Sequence, residues 1–191
     1  MTSFVDPPWD QPLDADAVVR SIPSTETVKG MFLQPMLAIA KAKNLALPVE
    51  RERYVAFQDY PLREHAQLLV LTAKAVHPDL SLRQGLRKIG RQAQSTFVES
   101  TIGRVLWASV DDVASALAAT VKGYGIAHPT CDVAIVEATT RSARIRMHRI
   151  WWFLDSHHVG CLEGAMKALG ASGTVKVDMS SPSAGEMKCS W

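Results

Sequence analysis

The sequence predicts an α+β fold, with N-terminal helices packed on a roughly four-stranded antiparallel sheet. Two observations carry this expectation. Apolar residues recur at helical spacing between Thr27 and Val121, and beyond Pro129 they switch to alternation, the side-chain period of a strand. After that switch the order is strand, strand, helix, strand, strand, so the strands follow the helices instead of interleaving with them.

Residues 1–26 are rich in Pro, Asp, Ser and Thr and read as a partly extended N-terminal arm with one short helix at Ala15–Arg20; residues 27–191 read as one domain. Phe4 and Trp9 are the residues suited to pin the arm to the body. A first helix is expected from Thr27, with Val28, Phe32, Met36, Leu37, Ile39 and Ala40 at helical spacing and a kink or break at Pro35, which removes a hydrogen bond and crowds the preceding turn. Pro61 suits the first turn of the next helix, whose stripe is Leu62, Ala66, Leu69, Ala73 and Val76, and His77-Pro78-Asp79 end it. Ser81 and Gln84 have capping-box spacing ahead of a helix carrying Leu82, Leu86, Ile89, Ala93 and Phe97, extendable through Ile102 to Trp107. Ser109 and Asp112 resemble a second cap, opening a helix with Val113, Leu117 and Val121 that Gly123-Tyr124-Gly125 are expected to stop.

Cys131–Glu137 and Ala143–Ile150 alternate with period two around Thr139-Thr140-Arg141-Ser142, a β-hairpin signature. Asp155 or Ser156 caps the last helix, Gly170 closes it, and two short strands around Val175–Asp178 and Met187–Trp191 follow.

Composition narrows the function classes. A length of 191 residues, 47% apolar, supports a full core. With 21 basic and 19 acidic residues the formal charge is only +2, which argues against a nucleic-acid partner. Cys131, Cys161 and Cys189 are odd in number and lack Cys-x-x-Cys pairing, so reduced thiols are expected rather than disulfides. Asp6, Pro7, Pro8, Asp10 and Pro12 stand where a signal peptide needs an apolar core, and no apolar run approaches spanning length. The expectation is a cytoplasmic protein with no membrane span.

Several short motifs occur in a fixed order: Gly30-Met31-Phe32-Leu33, Tyr60-Pro61-Leu62, Gly85-Leu86-Arg87-Lys88-Ile89-Gly90-Arg91, Phe97, Gly103, then Gly160-x-x-x-Gly164, Ala168-Leu169-Gly170-Ala171 and a closing Ser190-Trp191. Over about residues 28–191 this order resembles an uncharacterised family of small α+β domains expanded in myxobacteria. More distantly the layout is similar to the superfamily of haem–nitric oxide sensors and of vinyl-4-reductase and vesicle-tethering ligand-binding domains. That resemblance implies helices over a four-stranded antiparallel sheet with an apolar ligand between the layers; shared folds, however, host unrelated functions. Haem sensors of the superfamily hold the propionates with Tyr-x-Ser-x-Arg, and Thr140-Arg141-Ser142-Ala143-Arg144 keeps the Ser and the Arg but not the Tyr. The helices over residues 81–122 also contain no His to serve as axial ligand, so the expected cofactor is none, with haem disfavoured and not excluded.

Among reactive side chains, His157 and Cys161 lie four apart on one helix face but lack convincing further ligands, so no metal is expected. The bland reading puts His157 and His158 in a solvated first turn and Cys161 in the core. No nucleophile elbow or phosphate-binding loop is present, and no catalytic residues are assigned. Gly160 and Gly164 read as close helix–sheet packing, and the Arg83, Arg87, Arg91 stripe as a solvated face. The favoured binding residues are Trp152, Arg144, Arg146 and His148: if alternation continues past the strand, Trp152 joins the basic face while Trp151 and Phe153 share the core parity of Ile145 and Met147. Replacing Trp152 by Ala would then cost binding and Trp151 stability, unless a bulge near Arg149 swaps them.

These readings favour a non-enzymatic binding or sensory module for a small apolar ligand or peptide. The alternatives are a protein–protein scaffold or adaptor, dimerising through Trp151–Phe153, and an accessory enzyme of peptide or secondary-metabolite maturation using His148, His158 or Cys161.

Overall fold

The computed structural model describes residues 3–49 and 51–191 and shows the α+β fold. A short helix α1 (Ala15–Ser21) precedes a small ribbon in which β1 (Thr27–Lys29) pairs antiparallel with β2 (Asp59–Pro61). Between them lie a tight turn at Gly30–Phe32 and α2 (Gln34–Ala42). The helix expected from Thr27 is therefore a strand followed by a later helix. Pro35 falls in the first turn of α2, where its missing N–H costs nothing, so no kink forms.

The helical layer continues with α3 (Leu62–Val76), α4 (Leu82–Glu99), α5 (Thr101–Leu106) and α6 (Val113–Ala127). Ser81 caps α4 by accepting from the Gln84 N–H at 3.2 Å, while the Gln84 amide reaches the arm at Asp10. The expected continuation of α4 is interrupted: Ser100 accepts from the Gly103 N–H and opens α5. The second cap is Asp112, in a reciprocal box with Ser115. Gly123 and Gly125 do not stop α6, which runs two residues beyond Gly125.

The sheet has order β3-β4-β6-β5, all antiparallel, formed by β3 (Asp132–Ala138), β4 (Ser142–His148), β5 (Thr174–Ser181) and β6 (Ala184–Ser190). One face buries Ala143, Ile145, Met147, Val175, Val177, Met187 and Cys189 against α7 (His157–Ala168), whose Leu162, Ala165 and Met166 join the same apolar cluster. The arm closes on this body. Val5 exchanges two backbone hydrogen bonds with Val177, and the Arg87 guanidinium lies 4.2 Å from the centre of the Trp9 ring. No helix among the described residues is long and apolar enough to cross a membrane.

Helices α4 and α7 meet backbone to backbone. A Cβ on Gly160 would stand 2.0 Å from the Arg87 carbonyl oxygen, and one on Gly90 would stand 2.1 Å from that of His157. Gly164 approaches Arg91 and Gln94. These glycines thus serve helix–helix packing, and the expected helix–sheet role is corrected. The Arg stripe is not simply solvated either: Arg87 and Arg91 both donate to the buried Glu163, at 2.7 and 2.8 Å, and Arg83 pairs with Asp155.

Backbone cannot yield as a flexible side chain can, so Gly160→Ala should destabilise the protein by about 1–3 kcal/mol in urea melts. Gly125 lies in α6 with no atom within 4 Å of its would-be Cβ, so Gly125→Ala should instead stabilise by about 0.5–1 kcal/mol.

Candidate functional site

The site begins where β4 ends. Arg149 follows with φ 60°, in the left-handed region that non-glycine residues seldom occupy, and Phe153 repeats this with φ 44°. Alternation is broken there, so Trp152 turns into the core, 3% exposed, while Trp151 is half-buried. The burial expected for the two rings is exchanged. The anchor for the bend is a polar cluster. Arg149 donates to Glu26 Oε1 at 3.1 Å, Thr130 donates to the other oxygen of the same buried carboxylate, and the Arg149 carbonyl lies 3.3 Å from His128 Nε2. His128 Nδ1 is 2.8 Å from the Thr27 carbonyl oxygen, so each ring nitrogen has a backbone carbonyl within hydrogen-bond distance.

Three further imidazoles come from separate places in the chain. His65 arrives on α3, and His157 and His158 form the first turn of α7; all are at least 95% buried, contrary to the solvated first turn expected for the α7 pair. The His65 and His158 rings meet Trp152 edge-on, with centroids 5.8 and 4.8 Å from it, and His157 stands 5.1 Å from His158. Tyr124 of α6 shares a 2.7 Å hydrogen bond with His158 Nδ1, and Cys161 Sγ lies 3.6 Å from His157 Nε2. The expected shared face of His157 and Cys161 is present, yet among the described residues no group of three His, Cys, Asp or Glu side chains is arranged to hold a metal ion.

These residues line a cavity of about 70 Å³. Apolar side chains, chiefly Val28, Met31, Phe32, Met36 and Phe97, supply most of the remaining wall, with Phe32 stacked on Phe97 at 5.5 Å. Four buried polar atoms on its lining residues, His65 Nδ1, His157 Nδ1, His158 Nε2 and Trp152 Nε1, make no hydrogen bond of good geometry among the described residues, although the His65, His157 and His158 rings lie against the backbone of Phe32, Leu86 and Trp152. Burial holds the His65 imidazole down to about pKa 3, helped by the neighbouring imidazoles, and burial alone brings His157 to about 4. His158 is pushed well below its ordinary value by burial and by His157 and His65. Cys161 is driven up to about 12 by burial, so its thiol stays protonated and is not a ready nucleophile.

Of the residues favoured from sequence, only Trp152 reaches this cavity. Arg144 and Arg146 point from the opposite, solvent-facing side of the sheet, where Arg144 pairs with Glu186 at 3.2 Å and Arg146 with Asp132 at 3.3 Å. His148 is exposed at the strand end. The structure does not bring these three to Trp152. His65 was missed, although it stands between Leu62 and Ala66 on the apolar stripe of α3 and marks itself as a polar residue on a core face.

The chain matches, over residues 22–191, the model of a family described as protein of unknown function (DUF2378). It belongs to that family. No curated protein matches the chain. Among solved structures, a mutant H-NOX protein from K. algicida in the Fe(II) unliganded form superposes with a TM-score of 0.64 at 18% identity, covering 85% of this chain and 95% of that one. An H-NOX protein from S. oneidensis in the Fe(II)NO ligation state gives 0.63 at 12% identity, covering 84% and 97%. A mutant T. tengcongensis H-NOX gives 0.60 at 13%, covering 84% and 94%. At these identities the likeness is one of fold, and this DUF2378 chain shares the H-NOX arrangement of helices and antiparallel sheet.

Two outcomes test the site's packing. Trp152→Ala should cost about 3–5 kcal/mol in a denaturant melt, and Trp151→Ala distinctly less. In the unfolded chain the three imidazoles take up protons near pH 6.5, whereas in the folded protein His157 remains neutral to about pH 4, His65 to about pH 3, and His158 titrates well below its ordinary value. Their stabilisation is therefore fully present above pH 6.5 and lost as the pH falls, with a limiting slope of about 4 kcal/mol per pH unit for three protons. Urea melts between pH 7 and 4.5 should show that slope, and His65→Phe should reduce it by about one proton.

Proposed function

We propose that this protein is a non-catalytic sensory or binding domain whose ligand occupies the cavity around Trp152, His65, His157 and His158. The observation that supports it is the cavity itself, a largely apolar pocket into whose lining the fold brings Trp152 and three buried imidazoles from separate parts of the chain. Leaving a buried donor or acceptor unpaired costs about 1–3 kcal/mol, and burying three imidazoles together beside one cavity is a cost that packing alone does not call for. His128, 5.5 Å from the Trp152 ring centre but outside the cavity lining, has a backbone carbonyl within hydrogen-bond distance of each nitrogen, one of which its N–H can use.

Similar folds carry haem: one solved neighbour concerns the tuning of haem redox potential by porphyrin distortion. The residues here do not fit that group. A cavity of about 70 Å³ is far below the roughly 300–1,000 Å³ that even drug-sized ligands need. No Lys or Arg is among its described lining residues to face two propionates. Ser142 and Arg141, from the segment compared with the propionate motif, are used at the hairpin tip, where their N–H groups donate to Thr139 Oγ1.

A thermal-shift screen of chemically diverse small molecules tests the reading. At least one compound should raise the melting temperature saturably, by about 5–10 °C when present at a hundred times its Kd. Filling the cavity with Ala93→Phe should abolish that shift, and added haemin should give no stoichiometric Soret-shifted complex. A screen without any saturable shift, or a shift that survives Ala93→Phe, overturns it.

A further inference from the structure

We infer that β5 is a self-complementary dimerisation edge, on which a second copy of this chain pairs antiparallel about Val177, and that the tip of the arm is its built-in competitor. The inference stands apart from the cavity and does not depend on what binds there.

Hydrogen-bond direction comes first. The Val177 N–H and C=O both point away from β6, because Val5 uses both, at 2.9 Å in each direction. An edge residue with outward-pointing groups can exchange the same two bonds with its own symmetry mate. A two-fold axis at Val177 then sets Lys176 opposite Asp178 of the partner subunit, and Asp178 opposite the partner's Lys176. These flanking positions are non-hydrogen-bonded pairs, where facing side chains come closest.

Charge selects the same register. Inside the sheet, the β5–β6 ladder sets Lys176 opposite Lys188 and Asp178 opposite Glu186. Like charges directly opposite are destabilising, so β6 matches neither charge of β5. The arm matches both from the margin: Asp6 stands 3.9 Å from Lys176, and the Ser3 N–H donates to Asp178 Oδ2 at 3.1 Å. It thus places an acid on Lys176 and a donor on Asp178, the two things a second β5 would bring.

The tip is also held lightly. Val5 is 53% exposed, and its contact with Val177 is an isolated bridge. The Asp6–Lys176 pair is open to solvent, where such pairs contribute little. Pro7 and Pro8 separate this tip from a second anchor, where Ser81 donates to the Trp9 carbonyl and Gln84 donates to Asp10. The tip is therefore able to leave β5 while Trp9 and Asp10 stay on α4. Pairing over Val175–Met179, where the β5 ladder is regular, uses far fewer than the about 20–30 residues a side of a standard interface, so the dimer is weak and reversible.

The test is sedimentation velocity on the full chain across a wide concentration range, with the tip loosened by Val5→Pro and Asp6→Ala together. The first change removes the bridging N–H and the second removes the acid from Lys176. The loosened chain should dimerise reversibly, at least tenfold more tightly than the unaltered one, and amide exchange at Val177 should slow as it is concentrated. Adding Lys176→Glu should weaken that dimer at least tenfold by setting acid against acid. Adding Asp178→Lys as well should restore it, because the exchanged pair is again complementary. Where a melt shows that the Lys176→Glu chain does not fold, Asp178→Lys alone serves in its place. A loosened chain that stays monomeric overturns the inference. A dimer indifferent to the charge changes also overturns it, since it would lie on another surface. So does a dimer of the unaltered chain that loosening abolishes, since that would be an exchange of arms.

Discussion

The near-contact of α4 with α7 governs the rest of the architecture. Backbone meets backbone at Gly90 and Gly160, and this sets how far α7 can be pressed toward the helical layer. Arg87 and Arg91 close the seam on Glu163, which is 6% exposed; a carboxylate so buried needs that pairing to be tolerated. With α7 fixed in this way, its first turn carries His157 and His158 inward while Leu162, Ala165 and Met166 face the sheet. One helix thus supplies the sheet core, the ion-paired seam and the cavity wall.

A second constraint works on Trp152 from the other side. Two left-handed residues within five positions carry strain of about 1–3 kcal/mol each, and such strain persists only where the surroundings over-determine it. Here Glu26, Thr130 and His128 hold Arg149 at both its guanidinium and its carbonyl. Burial by itself would raise the Glu26 pKa, but the hydrogen bonds from Thr130 and Arg149 and the nearby His128 outweigh it and keep the carboxyl below its ordinary value. The cluster therefore weakens in acid, like the imidazole core beside it.

The sequence was most informative where one local rule acts alone. The alternation of Ala143, Ile145 and Met147, the cap at Ser81, the left-handed Gly170 and the stripe on α3 all appear as their patterns indicate. It misled where two rules compete. Pro35 satisfies a first turn as well as it breaks a helix, and only the strand pairing of Val28 with Tyr60 decides between them. The left-handed turn at Arg149 has no glycine to announce it, since its cause is a carboxylate 123 residues away. The candidate site was half legible for the same reason: Trp152 stood out as an aromatic, but which side it faced depended on that turn. His65 and His158 share no sequence neighbourhood, so nothing short of the fold assembles them.

The sheet has two margins, and they are treated differently. Along β5 the arm lays Val5 against Val177, with N–H to O distances of 2.9 Å in both directions, and so occupies hydrogen-bonding groups that another extended chain would use. Along β3 no strand among the described residues pairs with the margin; the ladder instead slips at Val136, and Asp132 and Glu137 bring charge to that strand. Bulges and charges are how open edges resist edge-to-edge stacking. The arm, then, is more than a leader to the domain: cutting it back would leave β5 as bare template, and the cost would register as association between chains before it registered in the melt.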